Sequence, residues 1–259
     1  MIISESLKFL KKDNKVLYLS GWFNAALFIL AFILFFVDDR QIMSINAWIK
    51  PMKFALSVLI YVWTFGWLLQ YLPAKNKVSF ISWGITLCMI VENIAIFFQA
   101  ARGETSHYNI SSALNASIFS TMGIFIGINS VFIFYTLILF FTEKINLDQA
   151  SLFAWRAGLF LVLVGGAAGG MMVGNMAHTV GAPDGGPGLP LLNWSTVTGD
   201  LRIAHFFTLH GLQAIPLFSF LFASKTSKPM LYNILFFVCY TGACVALHLF
   251  AIQGRPLFS

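Results

Sequence analysis

The chain has 259 residues, 58% of them hydrophobic and only 10% charged. Soluble domains carry about 25% charged residues, so the composition excludes that class and leaves an integral membrane protein, one helical domain over residues 1–259. The net charge of +6 is no sign of a nucleic-acid partner, because basic residues beside membrane spans set orientation instead.

In chain order, the opening MIISESLKFLKKDNKVLYLS is too polar for a signal-peptide core, and no small-residue cleavage site follows it. The first apolar run is therefore expected to stay in the mature protein. Runs of about 20 apolar residues mark helices that cross a bilayer. Seven are expected, over about 18–37, 51–72, 79–101, 117–142, 152–177, 202–224 and 229–252. Alternating polarity is missing, which argues against barrel strands. The expected fold is an all-α membrane protein, a bundle of seven transmembrane helices. With the N-terminus cytoplasmic and the C-terminus outside, ten basic residues face the cytoplasm: Lys8, Lys11, Lys12, Lys15, Lys75, Lys77, Lys144, Arg156, Lys225 and Lys228. Six lie on the other side: Arg40, Lys50, Lys53, Arg102, Arg202 and Arg255. The positive-inside rule favours that orientation. Between spans five and six runs a long connection holding GAPDGGPGLP, whose Gly and Pro residues oppose regular structure; it reads as either a plain connector or a binding element. Cys88, Cys239 and Cys244 sit in apolar runs and are expected as free buried thiols.

All five histidines, His107, His178, His205, His210 and His248, fall on the expected outer side. On one helix His205 and His210 stand about 140° apart, so they do not jointly hold a small metal as an i, i+4 pair does. Imidazoles from two helices at matched depth are the arrangement that clamps a haem. The expected pairs are His210 with His248, deeper, and His205 with His178, shallower; His107 is the surface or propionate-bonding histidine. Gly166, Gly170 and Gly174, at i, i+4 and i+8, form a ribbon that either packs against a helix, within or between protomers, or receives a flat macrocycle. Lys50, Lys53, Arg102 and Arg202 are candidate partners for haem propionates, with Gln99 beside them; singly, each also reads as a side chain snorkelling to lipid headgroups.

Glu92 lies deep in span three, where a carboxylate marks a proton relay or ion site by default. A neutral acid bonded to Asn93 or Asn129 is the structural reading. Asp200, just before span six, reads as an N-cap or as a ligand or proton shuttle. Met171, Met172 and Met176 before His178 suit Cu(I), or fill the core.

The segments WIKPMKF, QAARGETSHYN and GAPDGGPGLPLLNWSTVTGDLRIAHFFTLHGLQ resemble blocks from a family of bacterial multi-span membrane proteins of unassigned function. The resemblance implies a bacterial cell (inner) membrane and a seven-helix bundle, and it brings no activity and no catalytic residues.

The leading expectation from these residues is a membrane haem b protein with a redox role, exchanging electrons with quinone or an extracytoplasmic partner. Two alternatives stay open. One is a zinc-dependent intramembrane hydrolase, with three histidines and Asp200 or Glu92 as acid–base group. The other is a metal-free transporter or sensor built on Glu92, Arg102 and Arg202.

Overall fold

The structure, a computed structural model, describes residues 2–258, with side chains from residue 5 onward. Eight α-helices are present among the described residues, and seven are long and apolar enough to cross a membrane. They are α2 (Lys15–Val37), α3 (Ile49–Leu69), α4 (Lys75–Arg102), α5 (Ala113–Thr142), α6 (Gln149–Asn175), α7 (Leu201–Leu221) and α8 (Pro229–Ile252). Large apolar side chains such as Phe36, Phe80, Val131 and Phe220 stay exposed along them. In water such a surface would drive aggregation; facing lipid, it is the expected outside of a multi-pass membrane protein.

Local chemistry sets the helix ends. Asn14 accepts from Leu17 N–H at the start of α2, and Asp148 accepts from Ala150 and Ser151 N–H at the start of α6. Gly103 ends α4 with φ 75°, a left-handed cap that needs no Cβ. Arg156 of α6 donates from Nε (2.9 Å) and Nη2 (2.6 Å) to the Phe140 carbonyl near the end of α5, so a cation neutralises that helix's negative pole.

The sequence pattern did not anticipate α1 (Ile2–Asp13), an amphipathic helix with Lys11 and Lys12 in its last turn. It lacks the 20 apolar residues by which spans are recognised, and Leu10 buries against α3 at Gly66. Two short antiparallel hairpins also appear: β1 (Gln41–Ile42) with β2 (Ile45–Asn46), and β3 (Thr179–Val180) with β4 (Gly199–Asp200). The second closes the long connection at its base, and an isolated bridge joins Gly188 to Ser195 within it. Apart from that bridge, strand pairing is confined to the two ends of the segment.

The chain divides into two compact units, Met1–Phe132 and Ile133–Ser259, with the division inside α5. In the first, α3 packs chiefly on α2, and α4 packs on both. In the second, α7 lies between α6 and α8 as the central helix.

Candidate functional site

In the second unit glycines bring α6 and α7 close. A Cβ on Gly158 would sit 3.1 Å from Leu212 Cα, and one on Gly165 2.9 Å from Leu209 N. This spacing lets the His205 ring reach across to α6, with Nδ1 2.8 Å from the Gly165 carbonyl oxygen. At Gly169 a Cβ would stand 3.0 Å from His205 Cε1, so the ring lies against bare backbone. A carbonyl oxygen only accepts, so Nδ1 donates and the lone pair rests on Nε2. Gly170 and Gly174 point elsewhere: a Cβ at either meets nothing within 4 Å. Gly166 is half-buried. Tight packing thus falls to Gly158, Gly165 and Gly169, while the ribbon through Gly170 and Gly174 lies open.

Side-chain bonds set the register of α7 on α8. Asn233 donates to Ser219 Oγ at 2.9 Å, and Tyr240 OH to the Phe207 carbonyl at 2.6 Å. A Cβ on Gly199 would collide with the Ala251 carbonyl. Following these contacts along two antiparallel helices sets His248 within about one turn of His205 and about two turns from His210. His248 shares a face with buried Cys244 and Ala251, and is itself half-buried. His210 is occupied differently: Nδ1 lies 3.2 Å from Gln213 Oε1, and its ring centroid 4.4 Å from that of Phe206.

His178 follows Met176, which caps α6 in the left-handed region at φ 50°. Its Nδ1 is 2.5 Å from Asp184 Oδ2. The backbone N–H groups of His178 and Thr179 and the Thr179 hydroxyl also donate to that carboxylate. Burial alone would raise the Asp184 pKa, but the His178 ring bond and charge, with these N–H and hydroxyl donors, hold it well below the usual carboxylate range. The His178 carbonyl accepts from Leu201 N–H at 3.0 Å, which fixes this imidazole about a turn above His205. Asp184 had no signal in the sequence beyond its place in a turn-rich tract.

Asp200 caps α7, accepting from Arg202 N–H and from Ser195 N–H. It also pairs with the Arg202 guanidinium at 2.6 Å, with its own side chain fully buried. Arg202 Nη2 donates in addition to the Asn193 carbonyl. The pair fastens the connection onto α7, and the carboxylate's acceptor positions are taken by these donors. Of the three methionines before His178, only Met172 is buried. Cys244 is buried and Cys239 exposed, and both are free thiols, as is Cys88.

The first unit gathers the other predicted residues. Glu92 of α4 is fully buried, and neither carboxylate oxygen has a hydrogen-bond partner. The neighbouring Asn93 donates to Asn24 Oδ1 of α2 at 2.9 Å, not to Glu92. Asn129 accepts from Tyr61 OH at 3.0 Å, so both amides named as possible partners of Glu92 are otherwise bonded. Lys50, at the start of α3, is within electrostatic reach of Glu92. Its Nζ lies 3.0 Å from His107 Nδ1, and Ser106 Oγ 3.1 Å from the same nitrogen. Arg102 donates to Gln99 Oε1 at 2.6 Å and to Asn115 Oδ1 at 2.9 Å, and Gln99 donates to Thr105 and Asn115. Lys53 is half-buried. The four candidate propionate partners thus divide: Lys50, Lys53 and Arg102, with Gln99 beside them, belong to the first unit, and Arg202 to the second. Asn24 and Asn115 completed these networks without any spacing that would have marked them.

Among the described residues, no three His, Cys, Asp or Glu side chains come together as a metal-holding group. No protein-family model, curated protein or solved structure matches the chain.

Proposed function

We propose that the chain is a haem b protein of the cell membrane with a redox role, N-terminus cytoplasmic and C-terminus outside, in which His205 and His248 would hold the haem. One observation carries this reading. His205 donates Nδ1–H to the Gly165 carbonyl, which fixes the tautomer and leaves Nε2 as the ligating atom. Such a backbone partner on the far nitrogen is the usual support of a metal-bound histidine. His248 supplies a second imidazole within about one turn of that level, and two imidazoles suffice for a haem where zinc hydrolysis needs three ligands and a water. The α7–α8 register favours His205 over His210 as the partner of His248. A bound haem would supply one-electron chemistry; the Gly165 carbonyl orients the His205 imidazole for it. Of the candidate propionate partners, Arg202 is the one in the same unit, with donors that Asp200 and Asn193 leave unused. Electrons pass to or from quinone in the bilayer or an extracytoplasmic partner.

The test is an absorption spectrum of purified protein. A red sample is expected, with a Soret band that shifts on dithionite addition. His205→Ala and His248→Ala each lose it, and His210→Ala keeps it. A colourless sample with stoichiometric zinc or copper would replace haem with that metal. A colourless, metal-free sample would leave the transporter or sensor reading.

A further inference from the structure

The first unit contains a column of buried polar groups that the haem reading does not use. Helices α2 and α4 run parallel. Asn14 donates to Ser82 Oγ at 2.7 Å, and Asn93 to Asn24 Oδ1 at 2.9 Å, so the two helices keep nearly the same offset at both levels. That register sets Thr86 and Ser20 between the two rungs. By helical rise, Ser82, Thr86, Ser20 and Asn93 climb in steps of about 6, about 4 and about 7 Å. Each step is within the span of one or two water-sized bridges. Glu92 stands beside Asn93, and from Glu92 the series continues to Lys50 and on to His107 and Ser106 at the far end of the unit.

Five side-chain atoms of this column are buried and unsatisfied. Ser20 Oγ, Thr86 Oγ1, Asn93 Oδ1 and both oxygens of Glu92 have no hydrogen-bond partner, and each residue is at least nine-tenths buried. Among the described residues, only two other buried side-chain atoms lack a hydrogen-bond partner, Asn233 Oδ1 and Thr241 Oγ1. An unpaired polar group away from water costs about 1–3 kcal/mol, and helices offer Ser and Thr a carbonyl one turn back as a remedy. Ser82 uses that remedy, donating to the Val78 carbonyl; Ser20 and Thr86 leave it unused. Hydroxyls and an amide oxygen lined up before an unpaired carboxyl both accept and, for the hydroxyls and acid, donate. That is the chemistry of proton transfer: the hydroxyls and the acid each take a proton on one side and release one on the other, while the amide oxygen accepts hydrogen bonds that orient the groups between them. The ionisable groups around Glu92 are Lys50 from α3 and Cys88 one turn below on α4; Asn24, from α2, is neutral.

We propose that this column, Asn14–Ser82, Thr86, Ser20, Asn24–Asn93, Glu92 and Lys50–His107, is a transmembrane proton path with Glu92 as its obligatory carrier. It stands independently of the haem assignment, since a colourless protein would still conduct. The balance is simple: a proton enters at one end, Glu92 is protonated and then deprotonated, and the proton leaves at the other.

The experiment uses full-length protein in phospholipid vesicles with a pH-sensitive dye inside and a potassium diffusion potential across the membrane. Wild-type vesicles should acidify or alkalise with the sign of the potential, at the same rate with sodium or N-methylglucamine outside. Glu92→Gln should fall to the rate of protein-free vesicles. The double variant Ser20→Ala, Thr86→Val should slow transfer several-fold with an unchanged circular dichroism spectrum, which keeps the test open should the Glu92 variant misfold. Wild-type flux no faster than protein-free vesicles, wild-type rates in both variants, or flux that vanishes without sodium would each overturn the proposal.

Discussion

The two glycine faces of α6 give opposite predictions for one chemical change. In Gly165→Ala the new methyl lands 2.9 Å from Leu209 N and 3.0 Å from Leu209 Cδ2. Carbon contacts settle at about 3.5–4.0 Å, so α6 and α7 must part by half an ångström or more. Overpacking of this kind costs about 1–3 kcal/mol. The same displacement stretches the His205–Gly165 hydrogen bond, worth about 0.5–1.5 kcal/mol net. Against this stands the gain of Ala over Gly inside a helix, about 0.8–1.0 kcal/mol. The balance is a destabilisation of about 1–3 kcal/mol. In Gly170→Ala the methyl meets nothing, and only the propensity gain remains. At about 2–4 °C per kcal/mol for a domain of this size, thermal unfolding in detergent should show Gly165→Ala several degrees below wild type and Gly170→Ala a few degrees above it. Equal midpoints for the two variants would refute the geometry. A loss in Gly170→Ala alone would mean that a cofactor or a second protomer covers the open ribbon.

Other outcomes follow from single contacts. Removing the Arg202 guanidinium leaves a fully buried Asp200 without its counter-ion, so Arg202→Ala should cost about 3–5 kcal/mol in a thermal or denaturant melt, and a change under 1 kcal/mol would show the pair to be solvated. Asp184 has a depressed folded-state pKa, so its stabilising effect is present above the unfolded carboxylate value of about 3.9 and is lost as pH falls through the lower folded value. Amide exchange of residues 179–200 should therefore stay protected down to mildly acidic pH, whereas Asp184→Ala should lose that protection at neutral pH. Protection that disappears near pH 5 in wild type would contradict the clamp. Gly199→Ala places a methyl into the Ala251 carbonyl and should release the connection from the end of α8, read as faster protease cleavage between residues 181 and 198.

The seven spans were legible because lipid imposes one rule, some 20 apolar residues in an unbroken run, and each run is bounded by lysines, a proline or a glycine tract. Span boundaries moved by only a few residues, mostly because caps such as Asn14 and Asp148 recruit polar residues into the first turn. What stayed hidden was anything set by the register between helices. Counting from helix ends grouped His248 with His210; the contacts at Ser219, Phe207 and Gly199 set it within about one turn of His205 and about two turns from His210. Nor does composition reveal α1, whose polar face conceals it from any hydropathy window, or Asp184, whose carboxylate matters only once the chain has folded back on His178.

The distribution of unsatisfied groups separates the two units chemically. In the second unit the ionisable residues of the connection are saturated: Asp184 takes donors from His178 and Thr179, and Asp200 from Ser195 and Arg202. Such groups fix position and are poor carriers, since moving a proton onto either carboxylate would break several bonds at once. His205 is half-saturated, bonded at Nδ1 and available at Nε2, which is the condition a ligand needs. In the first unit Glu92 carries no hydrogen bond to lose, so proton exchange there needs no rearrangement of a donor set. If the haem and proton-path proposals both hold, Glu92→Gln distinguishes them directly: it should abolish proton transfer while leaving the reduced spectrum of the protein unchanged.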